Sequence, residues 1–412
     1  MNIKEKKIGC FILWLCLSAA IIIGQDFDYH KEESPAISWN GTQMFDARML
    51  GAGGVSYMAS VPFAAVMNPA LLPKTGNYGL GLSVEYMNHE ASQYWGINQG
   101  VYIAPDVLSA QDTGLSGFTF SVPLKKIRLS AGYYLPDLLT LPDFDFDGQY
   151  WQYTGSFKGR EQNFFAAAAI SAGKKLDLGI KIDYIYGKRD LEINEYYKYT
   201  NPVESYLLIH RRESHSLNYL AATLGATLKL TPAWTIGASL VYPFKGNAER
   251  TINRTFDNLY EPPITYSQTG EDSFYRPAKI LFGTVYTLDK RSNGSGSMWT
   301  IAAETTYVRW SGYEYIYFSE EVPRDMRDCL IVALGCEFGI YKGTGDYFFR
   351  AGYRYDPQPV RVPQFVLHAL TFGTGFRYGK ITADFGMAYY IAPADVLSQY
   401  HAVVSGTLSI NL

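Results

Sequence analysis

Apolar and polar residues alternate along the last segment of this 412-residue chain. The apolar set is Tyr400, Ala402, Val404, Leu408, Ile410 and Leu412, and the polar set is Ser405, Thr407, Ser409 and Asn411. Successive side chains of a β-strand point to opposite faces, so the pattern indicates a strand with one apolar and one polar face. Segments suited to such strands recur about fourteen times. They lie near residues 78–88, 113–124, 126–136, 161–172, 176–188, 211–230, 233–246, 275–289, 297–311, 326–341, 345–356, 370–378, 381–391 and 400–412.

The connections between these segments alternate in length. The short ones lie at 123–125, 173–175, 231–232, 290–296, 342–344 and 379–380, and the long ones at 89–112, 137–160, 188–210, 247–274, 312–325, 357–366 and 392–399. All tight turns therefore leave one rim and all long loops leave the other, which is typical of outer-membrane barrels. A soluble β-sandwich, the alternative fold, has no reason to keep this asymmetry.

No apolar run after residue 25 approaches the roughly 20 residues that a membrane-spanning helix needs. The sequence therefore predicts an all-β fold, a transmembrane antiparallel β-barrel of about 14 strands. Aromatic residues gather near the predicted strand ends, where amphipathic rings favour the level of the lipid headgroups. This candidate girdle comprises Tyr78, Tyr86, Tyr133, Tyr134, Tyr242, Trp299, Trp310, Tyr313, Tyr353, Tyr355 and Tyr400.

Residues 1–24 have the anatomy of a secretory signal peptide. Lysines at positions 4, 6 and 7 precede an apolar stretch from Ile8 to Ile23, which ends before the polar Gln25. A stretch of about 16 residues is short for a membrane span, although an uncleaved anchor helix is the alternative. We expect the signal to be removed.

Residues 25–76 are too long to be a simple lead-in to the first strand. The uncharged stretch from Gly51 to Pro73 is rich in glycine and alanine, so it can pack closely against a wall and change conformation at low cost. Pro69 and Pro73 would interrupt any helix or strand there. We interpret residues 25–76 as a hatch in the lumen of a barrel formed by residues 77–412.

The chain resembles the FadL-type outer-membrane transporters of long-chain fatty acids and other hydrophobic compounds. The resemblance rests on the strand number and on the motifs Ala47-Arg48, Gly51-Ala52-Gly53-Gly54, Ala64-Ala65, Asn68-Pro69-Ala70-Leu71, Trp310-Ser311-Gly312-Tyr313 and Arg361-Val362-Pro363. It implies that the hatch includes Arg48, Gly51, Gly53, Gly54, Asn68, Pro69 and Ala70.

The resemblance also implies a function. It predicts an outer-membrane channel for passive uptake of hydrophobic or amphipathic small molecules such as long-chain fatty acids, gated by rearrangement of the hatch. Relatives with the same hatch motif include partner-binding barrels of secretion systems. A structural barrel that anchors a surface or secretion complex is therefore the alternative.

Charged residues on the last strands fall on the face assigned to the lumen. They are Glu304, Glu337, Arg350, Arg354, Arg377 and Asp384. Arg350, Arg354 and Arg377 are candidate substrate-binding residues, because a guanidinium can hold a carboxylate through paired N–H donors. The alternative is an Arg–Glu ladder that holds the hatch to the wall, which we favour because both signs occur on neighbouring strands.

The sequence DFDFDG contains a weak metal-binding signal. Asp143, Asp145 and Asp147 alternate before Gly148, as in the first half of a calcium loop. The twelfth position is Thr154, whereas such a loop uses a bidentate glutamate there. The alternative is an ordinary acidic surface loop, and apart from this possible calcium ion we expect no cofactor.

No enzyme motif organises the titratable residues. His210 and His215 flank a charged stretch, but the chain has no G-x-S-x-G, H-E-x-x-H or phosphate-binding glycine loop, so we expect no catalytic residue. The net charge of −3 argues against nucleic acid as a partner. We expect a monomer in the outer membrane of a diderm bacterium, with membrane lipid and a hydrophobic small molecule as partners.

Overall fold

The computed structural model describes residues 46–60, 63–74, 78–93, 107–135, 141–147, 151–198, 206–258, 261–292, 295–317, 320–321, 326–342, 345–359, 366–391 and 397–411. The predicted signal peptide at 1–24 and the first part of the predicted hatch at 25–45 lie outside these residues. Within the described residues, no helix is long and apolar enough to cross a membrane.

The described N-terminal segment contains four short helical elements. They are α1 (Ala47–Gly51), a 3₁₀ turn (Ser56–Met58), α2 (Ala64–Met67) and a second 3₁₀ stretch (Pro69–Lys74). All later elements are strands except for one 3₁₀ turn (Trp310–Gly312). The strands are β1 (Gly79–Gln93), β2 (Val107–Leu124), β3 (Ile127–Tyr134), β4 (Leu141–Asp147), β5 (Trp151–Ala172), β6 (Leu176–Lys198), β7 (Tyr206–Lys229), β8 (Trp234–Pro243), β9 (Gly246–Asn258), β10 (Glu261–Tyr275), β11 (Lys279–Asp289), β12 (Ser295–Val308), β13 (Glu314–Tyr317), β14 (Glu320–Glu321), β15 (Cys329–Lys342), β16 (Asp346–Pro357), β17 (Val366–Tyr378), β18 (Ile381–Ile391) and β19 (Leu397–Asn411).

Fourteen of these strands close into an antiparallel barrel. Around the ring they follow the order β1, β2, β3, β5, β6, β7, β8, β11, β12, β15, β16, β17, β18 and β19. Closure comes from β19, which pairs with β1 along its whole length. The prediction of about 14 transmembrane strands is confirmed.

The outer surface of the barrel is apolar. On β18, Ile381, Phe385 and Met387 are exposed, whereas Asp384 and Tyr390 are buried on the opposite face. This alternation is the pattern that a lipid-facing barrel strand requires. The belt suits a bilayer, because exposed aliphatic and aromatic side chains meet hydrocarbon there instead of water.

Several strands continue far beyond the length of a membrane crossing. β5, β6 and β7 contain 22, 23 and 24 residues, whereas about 9–11 suffice for a tilted membrane strand. The hairpin of β9 and β10 continues this sheet, because β9 pairs with the first half of β7. The expectation of loops over most of 137–160, 188–210 and 247–274 was therefore wrong.

Cross-strand pairs explain why these connections form strands. Thr255 faces Thr265 and Thr251 faces Thr269, with hydroxyl oxygens 3.1 and 3.4 Å apart. β-Branched residues favour extended backbone, and opposed threonines stabilise an antiparallel pair even in water. The ladder therefore extends past the apolar belt.

Candidate functional site

Residues 46–60 and 63–74, here called the plug, lie on the inner face of the barrel wall. Met49, Leu50 and Phe63 are completely buried, and they pack in a cluster with inward-facing residues such as Phe165 and Tyr390. Burial of apolar surface stabilises this arrangement by about 25 cal/mol per Å². The described part of the predicted hatch is therefore a packed element inside the barrel.

Two glycines allow the plug to turn sharply after α1. Gly53 and Gly54 have φ angles of 76° and 78°, a region that side chains other than glycine rarely adopt. The Gly54 N–H donates to the Met49 carbonyl at 2.9 Å, which closes the end of the helix. The motif that contains Gly51, Gly53 and Gly54 thus sets the path of the chain.

Asp46 joins the two ends of this turn. Its side chain accepts hydrogen bonds from the N–H groups of Arg48 at 2.7 Å and Ser60 at 2.6 Å, and so caps α1. Complete burial, together with the nearby carboxylate of Asp384, raises the pKa of Asp46 from 3.8 to about 6. The plug therefore carries a carboxyl group that titrates near neutral pH.

The wall that faces the plug contains directly opposed glycines on neighbouring strands. The four pairs, here called the wall glycines, are Gly179–Gly225, Gly237–Gly283, Gly335–Gly352 and Gly373–Gly386. A Cβ added at Gly179 would lie 2.5 Å from the Pro69 carbonyl carbon, and one at Gly352 would lie 2.5 Å from that of Ala52. In three of the pairs the plug backbone approaches the wall more closely than a side chain permits, and at Gly237–Gly283 the ring of Tyr57 does so.

The Asn68-Pro69-Ala70 turn rests on the first of these pairs. Asn68 Oδ1 accepts from the Ala70 N–H at 3.0 Å, and its Nδ2 donates to the Ala238 carbonyl on β8 at 3.3 Å. The side chain replaces a backbone turn and at the same time ties the plug to the wall. A Cβ at Gly225 would lie 3.0 Å from Pro69 Cδ.

A ladder of buried charges links α1 to three wall strands. Arg48 donates to both carboxylate oxygens of Glu337 at 2.9 and 2.8 Å, and Arg350 Nε donates to Glu337 at 2.7 Å. Arg350 Nη2 lies 2.8 Å from Asp384 Oδ1. Opposite charges compensate each other here, so the ladder can remain ionised while buried. Arg350 Nη1 is buried and has no hydrogen-bond partner among the described residues.

The other two candidate arginines also contact carboxylates. Arg354 Nε donates to Asp356 at 3.1 Å, and Asp356 in turn accepts from Gln358 Nε2 at 3.0 Å. Arg377 Nε donates to Asp346 at 2.8 Å, and its side chain remains 39% exposed. Their assignment as substrate-binding residues stays a prediction.

Glu304 binds a second point of the plug. It accepts from the Ser56 N–H at 3.1 Å and from the Ser56 hydroxyl. The 3₁₀ turn at Ser56–Met58 is thereby fixed next to β12.

A cavity of about 80 Å³ lies between α2 and the wall. Its apolar lining includes Val66 and Met67 from the plug and Ile185, Val241, Leu281 and Trp310 from the wall. Its polar lining includes Tyr134, Asn163, Lys181, Asp183 and Arg276. An apolar pocket with a few convergent polar groups is typical of small-molecule sites.

The sequence did not reveal this cavity, and it misplaced two of its lining residues. Tyr134 and Trp310 were assigned to the lipid-facing girdle, but both are buried, with 5% and 2% of their surface exposed. Tyr134 faces inward because it stands opposite Asn163 of β5, whose side chain is also buried. By contrast Tyr78, Tyr242 and Trp299 are exposed, as the girdle requires.

The weaker candidates remain unassigned. β4 carries Asp143, Asp145 and Asp147, but their side chains lie outside the described part of the structure. Among the described side chains, no group of His, Cys, Asp and Glu could hold a metal ion. His215 Nε2 lies 3.2 Å from Glu213, and the absence of catalysis stays a prediction.

Sequence comparison finds no match for this chain: no protein-family model and no curated protein is similar to it. Structural comparison finds clear matches. A Pseudomonas aeruginosa FadL homologue superposes with a TM-score of 0.64 at 15% identity, covering 89% of this chain and 98% of its own. The CymD monoaromatic hydrocarbon channel gives a TM-score of 0.62 at 16% identity and 90% and 99% coverage. The Pseudomonas putida toluene transporter TodX gives 0.59 at 16% identity, with the same coverage.

These matches define the class of fold. The chain is a 14-stranded antiparallel barrel of the FadL-like type over nearly its whole described length. The resemblance seen in the sequence is therefore confirmed at the level of the fold.

Proposed function

We propose that this protein is an outer-membrane channel that admits hydrophobic or amphipathic small molecules, such as long-chain fatty acids, by passive diffusion. The plug is the gate, membrane lipid surrounds the apolar belt, and the barrel acts as a monomer without cofactor or catalysis. The observation that carries the proposal is a closed barrel whose lumen holds a packed plug with a partly apolar cavity beside it. Solved structures of the same fold include a hydrocarbon channel and toluene transporters, which supports a hydrophobic substrate.

The size of the cavity supports gating. An apolar cavity of about 150 Å³ is known to hold benzene, whereas this one measures about 80 Å³. A hydrocarbon therefore requires the plug to shift before it can pass. The movement required is local, since α2 lines the cavity while α1 is held by the charge ladder.

A reversible cross-link between α2 and the wall tests the gate. The Ser239 hydroxyl donates to the Met67 backbone carbonyl at 3.1 Å, so the two residues are neighbours. Met67→Cys with Ser239→Cys is therefore the pair chosen for the cross-link, and formation of the disulfide is verified by mass spectrometry before uptake is measured. Of the four cysteines, Cys10 and Cys16 lie in the predicted signal peptide, and Cys329 and Cys336 are first replaced by serine. Uptake of labelled oleate and toluene by cells is then measured with and without reductant.

We expect oxidation to block uptake and reduction to restore it, while each single-cysteine variant stays insensitive. Two results would refute the proposal. The first is equal uptake by the double-cysteine variant with and without reductant, and the second is equal uptake by cells with and without the gene. The latter result favours the second candidate, a partner-anchoring barrel. That candidate has one specific observation in its support, the sheet of β5, β6, β7, β9 and β10 that continues past the membrane crossing.

A further inference from the structure

The polar side of the cavity contains one open hydrogen-bond acceptor. Asn163 is 3% exposed and lines the cavity, and its Oδ1 has no hydrogen-bond partner among the described residues. A buried acceptor without a partner has lost its hydrogen bonds to water without compensation, and a donor from a ligand would restore one of them. We infer that the cavity binds a neutral amphiphile with a hydroxyl donor, a phenol or a small alcohol, whose O–H donates to Asn163 Oδ1. This inference rests on the proposed function and deepens it by naming the substrate class.

The neighbouring groups fix the orientation of the Asn163 amide. Lys181 Nζ lies 2.9 Å from Asp183 and 3.4 Å from the Tyr134 hydroxyl, which in turn lies 3.3 Å from Asp183 Oδ1. The Tyr134 hydroxyl donates its single proton to the Asp183 carboxylate and accepts from the Lys181 ammonium. Any third neighbour of the hydroxyl oxygen must therefore be a hydrogen-bond donor. That neighbour is Asn163 Nδ2, at 2.6 Å. The amide oxygen Oδ1 is therefore the Asn163 atom without a hydrogen-bond partner among the described residues.

The cluster is unsuited to a carboxylate. Three cations line the cavity. Lys181 is paired with Asp183 and Arg276 with Glu161, and Lys279 is not free either. The open atom is an acceptor, and an acceptor repels a carboxylate oxygen. A neutral hydroxyl compound fits this arrangement, and a fatty acid that uses the channel does not place its carboxylate here.

The apolar side can adapt to a ring. Val66 and Met67 of α2 face Ile185, Leu281 and Trp310 across the cavity. Methionine is unbranched and adjusts its shape readily, so displacement of Met67 can enlarge the cavity. The ligand thus has its hydroxyl at β5 and its hydrocarbon part against α2.

The test compares phenol with toluene, in which a methyl group replaces the hydroxyl. Binding of both to the full-length protein in detergent is measured by calorimetry for the wild type and for Asn163→Leu. This substitution keeps the number of side-chain heavy atoms and removes the Oδ1 acceptor, together with the Nδ2 donor to Tyr134. We expect the variant to bind phenol about 3- to 10-fold more weakly and toluene equally well. An unchanged phenol affinity, or an equal loss for both compounds, would overturn the inference.

Thr223→Val provides a matched control. Thr223 Oγ1 is another buried oxygen without a partner among the described residues, and it lies on the same inner wall without lining the cavity. We expect this variant to bind both compounds as the wild type does. A loss of phenol binding as large as that of Asn163→Leu would overturn the assignment to Asn163.

A second measurement needs no variant. A crystal of the wild-type protein with 4-iodophenol should place the anomalous iodine signal beside α2 and the oxygen within hydrogen-bond distance of Asn163 Oδ1. Density elsewhere would overturn the site. Toluene uptake by cells tests the channel function separately. If uptake depends on the gene but Asn163→Leu does not change phenol binding, this inference alone is refuted. If uptake does not depend on the gene but Asn163→Leu still weakens phenol binding, only the channel function is refuted.

Discussion

Gly352→Ala places a methyl group where the plug backbone meets the barrel. The new Cβ would lie 2.5 Å from the carbonyl carbon of Ala52 and 2.6 Å from the Cα of Gly53, and both are backbone atoms. A flexible side chain could rotate away from such a contact, but backbone must move as a unit. The plug turn at residues 52–54 is therefore forced inward.

The size of the effect follows from the distances. The nearest plug atom is the Gly53 backbone nitrogen, which would lie 2.2 Å from the new Cβ. Ordinary contact begins at 3.4 Å, so the turn must withdraw by about 1.2 Å. The hydrogen bond from the Gly53 N–H to Thr371 Oγ1, now 2.8 Å, would lengthen to about 4.0 Å and be lost. Overpacking costs about 1–3 kcal/mol and a lost hydrogen bond about 0.5–1.5 kcal/mol. We expect seating of the plug to weaken by about 2–4 kcal/mol, a factor of roughly 30 to 1,000.

Conductance and proteolysis both report this change. A loosened plug should open the lumen to ions in planar bilayers, and trypsin should cleave after Arg48, which the seated plug protects. Gly406→Ala is the matched control, because its added Cβ would meet only Val84 Cγ2, at 3.6 Å. If Gly352→Ala shows the conductance and cleavage rate of the wild type, the close approach of plug and wall does not hold the plug in place.

Three further outcomes are expected. The pKa of Asp46 is raised to about 6 in the seated plug and returns to about 3.8 in a released plug, so the seated plug binds a proton more tightly. Seating is therefore strongest below pH 4 and weakens by roughly 3 kcal/mol as the pH rises through 6. Conductance should therefore be higher at pH 7.5 than at pH 4.5, and Asp46→Asn should reduce the difference. Glu337→Gln leaves the guanidinium groups of Arg48 and Arg350 facing a neutral amide, and it should lower the free energy of unfolding by about 3–5 kcal/mol in urea titrations. Tighter oleate binding by this variant would instead show Arg350 to be a substrate ligand. Phe372→Arg puts a charge in the lipid-facing belt and should cost about 2–4 kcal/mol of folding stability in lipid vesicles, while Tyr378→Arg at the strand end should cost at most about 1 kcal/mol.

The barrel was predictable from the sequence because its signal is local. Alternation as clear as that in 381–391 follows directly from two different solvents on the two faces of a strand, and the strand bounds agree with the structure. The glycines and prolines of residues 51–73 led to the interpretation of a hatch, and the role of this segment as a hatch stays a prediction. The long extramembrane strands were missed because their alternation is weak: both faces meet water, so no apolar period marks them.

The inner wall could not be predicted in the same way. Charges such as Glu337 and Arg350 could be assigned to a ladder, since their spacing places them on one face of neighbouring strands. The cavity depends on which part of the plug lies opposite which strand. The periodicity of a single strand carries no information about which distant segments it meets. The wall glycines did leave a signal, because glycine in a strand interior weakens the strand unless another backbone approaches it.

The bonds of the plug span almost the full chain, and this has a consequence for biogenesis. The Ala47 N–H donates to Thr407, 360 residues later, and Arg48 reaches Glu337 across 289 residues. Contacts between distant residues form late, because the intervening chain must first be ordered. The N-terminal segment is synthesised before β19, on which part of its docking surface lies. Until the cylinder closes around it, this apolar segment therefore lacks its packing partners and is exposed to aggregation.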